Sequence, residues 1–226
     1  MHHIYCLIGK SASGKDTIYQ RLLQDEALQL RRIVMYTTRP IREGEANGRE
    51  YYFENIDDYE AAEKNGEIIE ARTYPSFYGP WHYYTKNDGQ IDLSQADYLT
   101  PSTLESYLGT RAFFDRQRAL AKEGKNAEIM TPATMCAAVD LPVVLPVYID
   151  LDDGERLQRA LSRERQQEHP KYEEMCRRFL ADQADFTEEK IREAGITRRF
   201  VNDDLETCIR KIRDYILEIG RTDAKV

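Results

Sequence analysis

The chain has 226 residues, enough for one α/β domain with sizeable insertions, and a net charge of −8, which argues against a broad basic face for duplex nucleic acid. Its four cysteines lie far apart with no C-x-x-C pair, so neither a zinc site nor a disulfide framework is expected. No apolar run reaches the length of a membrane span and the start lacks signal-peptide regions, so a soluble cytoplasmic protein without a membrane partner is expected.

In chain order, His2 and His3 read as an exposed terminus. Residues 4–8 then read as a short buried strand, and residues 17–23 open a helical pattern. Between them, Gly9-Lys10-Ser11-Ala12-Ser13-Gly14-Lys15-Asp16-Thr17 fits a phosphate-binding loop, G-x-x-x-x-G-K. Glycines at this spacing let successive backbone N–H groups turn toward phosphate oxygens, and the following helix presents its positive end to the same anion. Gly9, Ser11, Ala12, Ser13, Gly14, Lys15, Asp16 and Thr17 are therefore the triphosphate-binding candidates. After Lys15 the usual hydroxyl residue is replaced by Asp16, with Thr17 one step later. Direct magnesium coordination, a water-mediated contact and a purely helix-stabilising Asp16 are all compatible with that substitution.

Residues 33–36 read as a second strand. Residues 37–90 change character, with Arg39, Arg42, Arg49, several glycines and many tyrosines, as in a compact inserted lobe. Within it a helix is expected over 56–65, stopped by Gly66, and a strand over 67–71. A strand end at 98–99, a helix over 102–120 and a buried strand over 143–149 follow, although Pro146 counts against a regular central ladder. From Asp152 the pattern is helical, with Leu157, Leu161, Met175, Phe179 and Leu180 offering an apolar face. A late strand and loop over 198–203 and a closing helix over 205–219 complete an alternation that favours a parallel α/β sheet.

The stretch from Thr37 to Phe53, T-T-R-P-I-R-E-G-E-A-N-G-R-E-Y-Y-F, resembles the guanylate kinase pattern T-T-R-x-x-R-x-G-E-x-x-G-x-x-Y-x-F, which follows a phosphate loop in that family. The resemblance covers about the first 90 residues. It implies a P-loop NTPase-type parallel sheet flanked by helices, with core segments 1–36, 91–152 and 196–226, an acceptor-binding lobe over 37–90 and a helical lid over 153–195. It also implies ATP-dependent phosphoryl transfer to a nucleoside monophosphate, GMP or dGMP foremost, with magnesium as cofactor. The acceptor residues carried over are Thr37, Arg39, Arg42, Tyr51, Glu70 and Tyr78. Arginines and a phenol suit a monophosphate, and a carboxylate at Glu70 can accept paired N–H donors from guanine. Lys15 and the lid arginines Arg159, Arg163 and Arg178 are the catalytic candidates, with Asp16 the candidate metal ligand. Asn202, in V-N-D-D-L, resembles the segment beside the donor adenine, although the same residues could form an ordinary helix cap. Monomer and homodimer are equally compatible with the sequence.

The chain departs from the family at four places. Met35 stands where the family has an acceptor-contacting serine, and Pro80 and Trp81 follow Gly79 where a small hydroxyl residue is usual, with Thr85 a possible substitute. The family's D-I-D strand end has its nearest counterpart at Asp97, and the span 102–145 is long. These departures keep two alternatives open: a related kinase acting on another phosphate or phosphonate acceptor, and a noncatalytic guanylate-kinase-like binding module. The aromatic residues from Tyr74 to Tyr84 are expected either to stack on a base or to pack the small lobe.

Overall fold

The computed structural model describes residues 2–76, 79–91, 96–123 and 141–223. All six residues of β1 (His3–Ile8) are buried, with no alternation between faces. That is the pattern of a strand covered on both sides in a parallel sheet. It takes the middle place in a five-stranded sheet of order β2-β7-β1-β8-β9. Here β2 is Arg31–Arg32, β7 is Tyr98–Ser102, β8 is Val143–Asp150 and β9 is Arg199–Val201. The two outer pairs, β2 with β7 and β8 with β9, are both parallel. Among the described residues no helix is long and apolar enough to cross a membrane.

Two compact units emerge, one within residues 1–4, 31–100 and 105–144 and one within 5–30, 101–104 and 145–226. In the second, α1 (Lys15–Leu23) buries Ile18 and Leu22 and packs on α7 (Leu205–Asp223). The buried stripe of α7, Cys208, Ile212 and Ile216, follows the four-residue spacing of a helix face. Pro146 does sit inside β8. It precedes the Tyr148–Asp150 stretch that pairs with β9, so its missing N–H interrupts no bond on that side.

In the first unit a four-stranded sheet has the order β4-β3-β6-β5, with β3 Tyr36–Thr37, β4 Tyr52–Phe53, β5 Ile68–Tyr74 and β6 Trp81–Lys86. Its core is a cluster of Tyr36, Tyr59 and Tyr84, with Tyr52 and Ile68 against it. Tyr84, fully buried, therefore belongs to the packing of the lobe rather than to a stacking wall. Helix α2 (Ile56–Lys64) starts at a capping box between Asn55 and Asp58, and Gly66 follows its end in the left-handed conformation at φ +70.

Of the strand expected at 33–36 only Tyr36 is in one, at the start of β3; residues 33–35 link β2 to β3, which lie in different sheets. The chain crosses between them with the Val34 N–H donated to Gln90 Oε1 at 2.9 Å rather than to a ladder. The amino-terminal histidines are also corrected. His3 is buried, its N–H donates to Asp97 Oδ1 at 2.9 Å, and its Nδ1 lies 3.3 Å from Asp97 Oδ2.

Candidate functional site

The second unit holds the glycine loop. At Gly9, an added Cβ would lie 2.5 Å from the Ile149 carbonyl, so the loop leaves β1 with room for glycine alone. Gly14 takes φ +90, and a Cβ there would come within 2.3 Å of Asn202 Nδ2. That amide donates to the Ser13 carbonyl at 2.7 Å, so Asn202 pins the turn from the strand-to-helix junction after β9. Gly14→Ala meets both a left-handed backbone penalty of roughly 1–2 kcal/mol and this clash. It is expected to lower the melting temperature by several degrees, read in a thermal melt.

Ser11, Ala12, Gly14, Lys15, Asp16 and Thr17 line a cavity of about 350 Å3 together with Arg159, Arg163 and Arg178. The structure thus brings six of the eight loop candidates and all three predicted arginines to one space. Gly9, Ser13 and Asn202 shape the loop from behind it. The Lys15 ammonium donates to the carbonyls of Gly9 and Lys10. Burial pushes its pKa down, opposed by the charges of Asp16 and Asp182.

Helices α4 (Asp153–Arg165) and α5 (Tyr172–Asp185) bring the arginines to the loop. The apolar face expected on them is not what they bury, since Leu157, Leu161 and Leu180 are exposed. Their anchor is Arg156, 1% exposed. It donates to the Ser11 carbonyl at 3.1 Å, to Asp182 at 2.9 Å and to Asp153, and lies over the Phe179 ring. Asp182 also accepts the Ser11 N–H at 2.8 Å, and Lys10 reaches Asp153 and Gln183. Of the cavity arginines, Arg159 donates to the Asn202 carbonyl at 3.0 Å, and Arg178 to Glu174 at 2.7 Å. Arg177 and then Arg178 hold the Glu174 carboxyl down to about 2, so that pair stays ionised through neutral pH.

The first unit holds the acceptor candidates. Thr37 is fully buried; its hydroxyl donates to the His82 carbonyl at 2.9 Å and accepts the Arg39 N–H at 3.1 Å, so it orients the backbone that carries Arg39. The Arg39 guanidinium, 3% exposed, makes a two-pronged pair with Glu45 at 3.0 and 2.9 Å. It also lies over the rings of Tyr51 and Phe53. Glu45 in turn accepts the Arg42 N–H at 2.8 Å, while the Arg42 side chain is exposed. Burial raises the pKa of the Tyr51 phenol, against the charges of Arg72 and Arg39.

Glu70 is buried beneath α3 (Leu104–Lys122), where a Cβ on Gly109 would come within 2.9 Å of its own Cβ. It accepts from Thr85 Oγ1 at 3.0 Å, and Arg72 Nε lies 3.3 Å from its other oxygen. Burial raises the Glu70 pKa, and the Arg72 charge, Thr85 and Ser106 oppose the rise. Thr85 thus touches the predicted acceptor residue directly. Tyr78 lies outside the described residues. Asp97, the nearest counterpart to the family's acidic strand end, is spent on His3.

Sequence reasoning passed over Arg156, Asp182, Glu45 and Arg72. A signal existed for Arg156, which continues the Arg159 and Arg163 spacing one turn back. For Glu45 it was the acidic position of the motif itself.

Loop, parallel sheet and helices define the class as a P-loop α/β protein. Over residues 1–86 the chain matches the family model described as guanylate kinase. It is 38% identical over 78 residues to a guanylate kinase of Cupriavidus metallidurans, covering 34% of this chain and 35% of that protein. With a guanylate kinase of Rhodopseudomonas palustris it shares 42% over 77 residues, 34% of each. The match thus spans about a third of those relatives' length. A crystal structure of guanylate kinase from Anaplasma phagocytophilum superposes with a TM-score of 0.51 over 96% of this chain and 86% of that one, at 20% identity. Over its first 86 residues the chain is similar in sequence to guanylate kinases, and beyond them the likeness is one of fold.

Proposed function

We propose that the protein transfers a phosphoryl group from ATP to a nucleoside monophosphate, GMP or dGMP foremost, giving ADP and the nucleoside diphosphate. The observation that supports this most is the cavity in which Lys15 and three lid arginines face the glycine loop. A pure binding module has no use for four cations around a triphosphate loop. In the proposed reaction an oxygen of the monophosphate attacks the terminal phosphorus of ATP, and the bridging oxygen leaves with ADP. No covalent enzyme intermediate is required, since positioning and charge compensation suffice. Lys15, Arg159, Arg163 and Arg178 compensate the phosphates. Arg39, Arg42 and Tyr51 take the acceptor phosphate, with Thr37 holding Arg39 in place, and Glu70 takes the base.

Asp16 is exposed at the loop cavity, and a single hard carboxylate fits magnesium, which is commonly shared between one or two carboxylates and the substrate phosphates. Bound there, the ion would neutralise charge on the donor phosphates. We retain the division into core, acceptor lobe over 37–90 and lid over 153–195 as part of this proposal. None of Cys6, Cys176 and Cys208 is in a disulfide, which fits a reducing cytoplasm.

The test is ADP formation from magnesium-ATP against a panel of nucleoside monophosphates. Turnover with GMP or dGMP is expected. Turnover confined to another acceptor removes the guanine assignment, and ATP binding with no turnover on any acceptor favours the binding module.

The raised pKa of Glu70 gives a pH prediction. A carboxyl with a raised pKa takes up its proton at higher pH than an ordinary glutamate and then no longer accepts two N–H donors. GMP affinity is therefore expected to fall on acidification with a midpoint above 4.5, the ordinary value. Glu70→Gln should abolish that step while leaving any step due to the phosphate's own ionisation.

A further inference from the structure

Arg72 has no counterpart in the motif that carries the family resemblance, yet it sits at the centre of the acceptor face. The register of β5 and β6 sets Glu70 opposite Thr85 and Arg72 opposite Tyr83, all on one side of the sheet, with a bulge between Ile68 and Glu70 re-aiming the strand at that point. Tyr83 meets Tyr51 edge to ring at 5.6 Å, and Tyr51 lies under the Arg39 guanidinium. One continuous face therefore runs from Glu70 through Arg72 to the Tyr51 and Arg39 end. Arg72 is 7% exposed. Its Nε lies 3.3 Å from Glu70 Oε2, and its Nη2 lies 3.4 Å from Met35 Sδ. Thioether sulfur is a weak acceptor.

A carboxylate beside a guanidinium is an acceptor followed by a donor. The Watson–Crick edge of guanine is its complement, with N1–H and N2–H donors beside the O6 acceptor. Adenine presents an acceptor at N1, which a carboxylate repels. Arginine is the side chain most often used to read guanine acceptors, because its planar fork matches their geometry. We propose that Arg72 is a specificity-determining residue of the acceptor site, donating to guanine O6 while Glu70 accepts from N1–H and N2–H. The inference rests on the proposed acceptor role of Glu70 and extends it to a residue outside the resemblance.

The test compares GMP with 6-thioguanosine 5′-monophosphate, which keeps the N1–H and N2–H donors and replaces O6 by sulfur, a weak acceptor, by calorimetry on the full chain. The wild-type protein is expected to prefer GMP. Arg72→Met should shrink that preference on the order of tenfold or more, because a lost base-reading donor acts on the ligand that has the acceptor. Arg72→Gln keeps one N–H donor and should give an intermediate ratio; it also carries the test if the methionine variant fails to fold. A ratio unchanged in a folded variant, with both affinities falling equally, assigns Arg72 to structure and overturns the inference while leaving the Glu70 reading intact. Failure of the wild-type chain to bind GMP while it binds another monophosphate overturns both.

Discussion

Lys15→Met is expected to lower phosphoryl transfer from ATP by about 10²–10⁴-fold, the range seen when one preorganised charge is removed from a developing phosphoryl or oxyanion centre. The same substitution should leave the protein melting no lower than wild type at neutral pH. The two results have one cause. Burial depresses the Lys15 pKa, so folding the loop around an ammonium works against the fold. In the window between the folded pKa and the ordinary value of 10.5 the unfolded chain binds the extra proton, so this group's contribution to stability rises with pH there. Below that window the full penalty is present, and a neutral side chain of similar length removes it. The loss of two donated hydrogen bonds, to the carbonyls of Gly9 and Lys10, offsets part of the gain. A coupled ADP assay and a thermal melt on the same preparation check both halves. Turnover near wild type in the variant would remove Lys15 from the mechanism, and a large drop in melting temperature would remove the account of its burial.

What could be read from the sequence was local. The strand, glycine loop and helix over residues 3–23 follow from a run of buried residues, two glycines with fixed geometric duties and a helical period, all within one short stretch. Helix α2 and its Gly66 stop were legible for the same reason. What failed depended on partners distant in the chain. Residues 33–36 have strand-like composition, but their neighbours belong to two different sheets, and no local pattern encodes that. His3 looks like a loose terminus until Asp97 is brought beside it. The leucines of α4 and α5 suggested an apolar face because periodicity counts residue types. It does not register that a buried Arg156, satisfied by Asp153, Asp182 and a loop carbonyl, can take the inward position instead. The site divides in the same way. Arg39, Tyr51 and Glu70 became candidates through a family resemblance, whereas Glu45 and Arg72 acquire meaning from the ion pairs they make with Arg39 and Glu70.

Arg39→Ala should cost both acceptor binding and stability, and Glu45 makes the two separable. Arg39 is nearly inaccessible, paired through both nitrogens with Glu45 and seated over Tyr51 and Phe53. Truncating it leaves the Glu45 carboxylate without its partner and the two rings without a cation above them. Removing one member of a buried pair costs several kcal/mol, and the partial exposure of Glu45 brings the expectation to roughly 3 kcal/mol. Loss of a forked donor for the monophosphate should raise the KM for GMP by about 10²-fold or more, while the KM for ATP moves little. Glu45→Gln keeps the shape and one acceptor but releases the guanidinium from its competing anion. It should be milder in stability and should hold GMP at least as tightly as wild type, because Arg39 no longer has to be shared with an internal carboxylate. If Glu45→Gln instead weakens GMP as much as Arg39→Ala does, then Glu45 is what aims the guanidinium. The carboxylate would then be part of the binding apparatus rather than a rival of the phosphate.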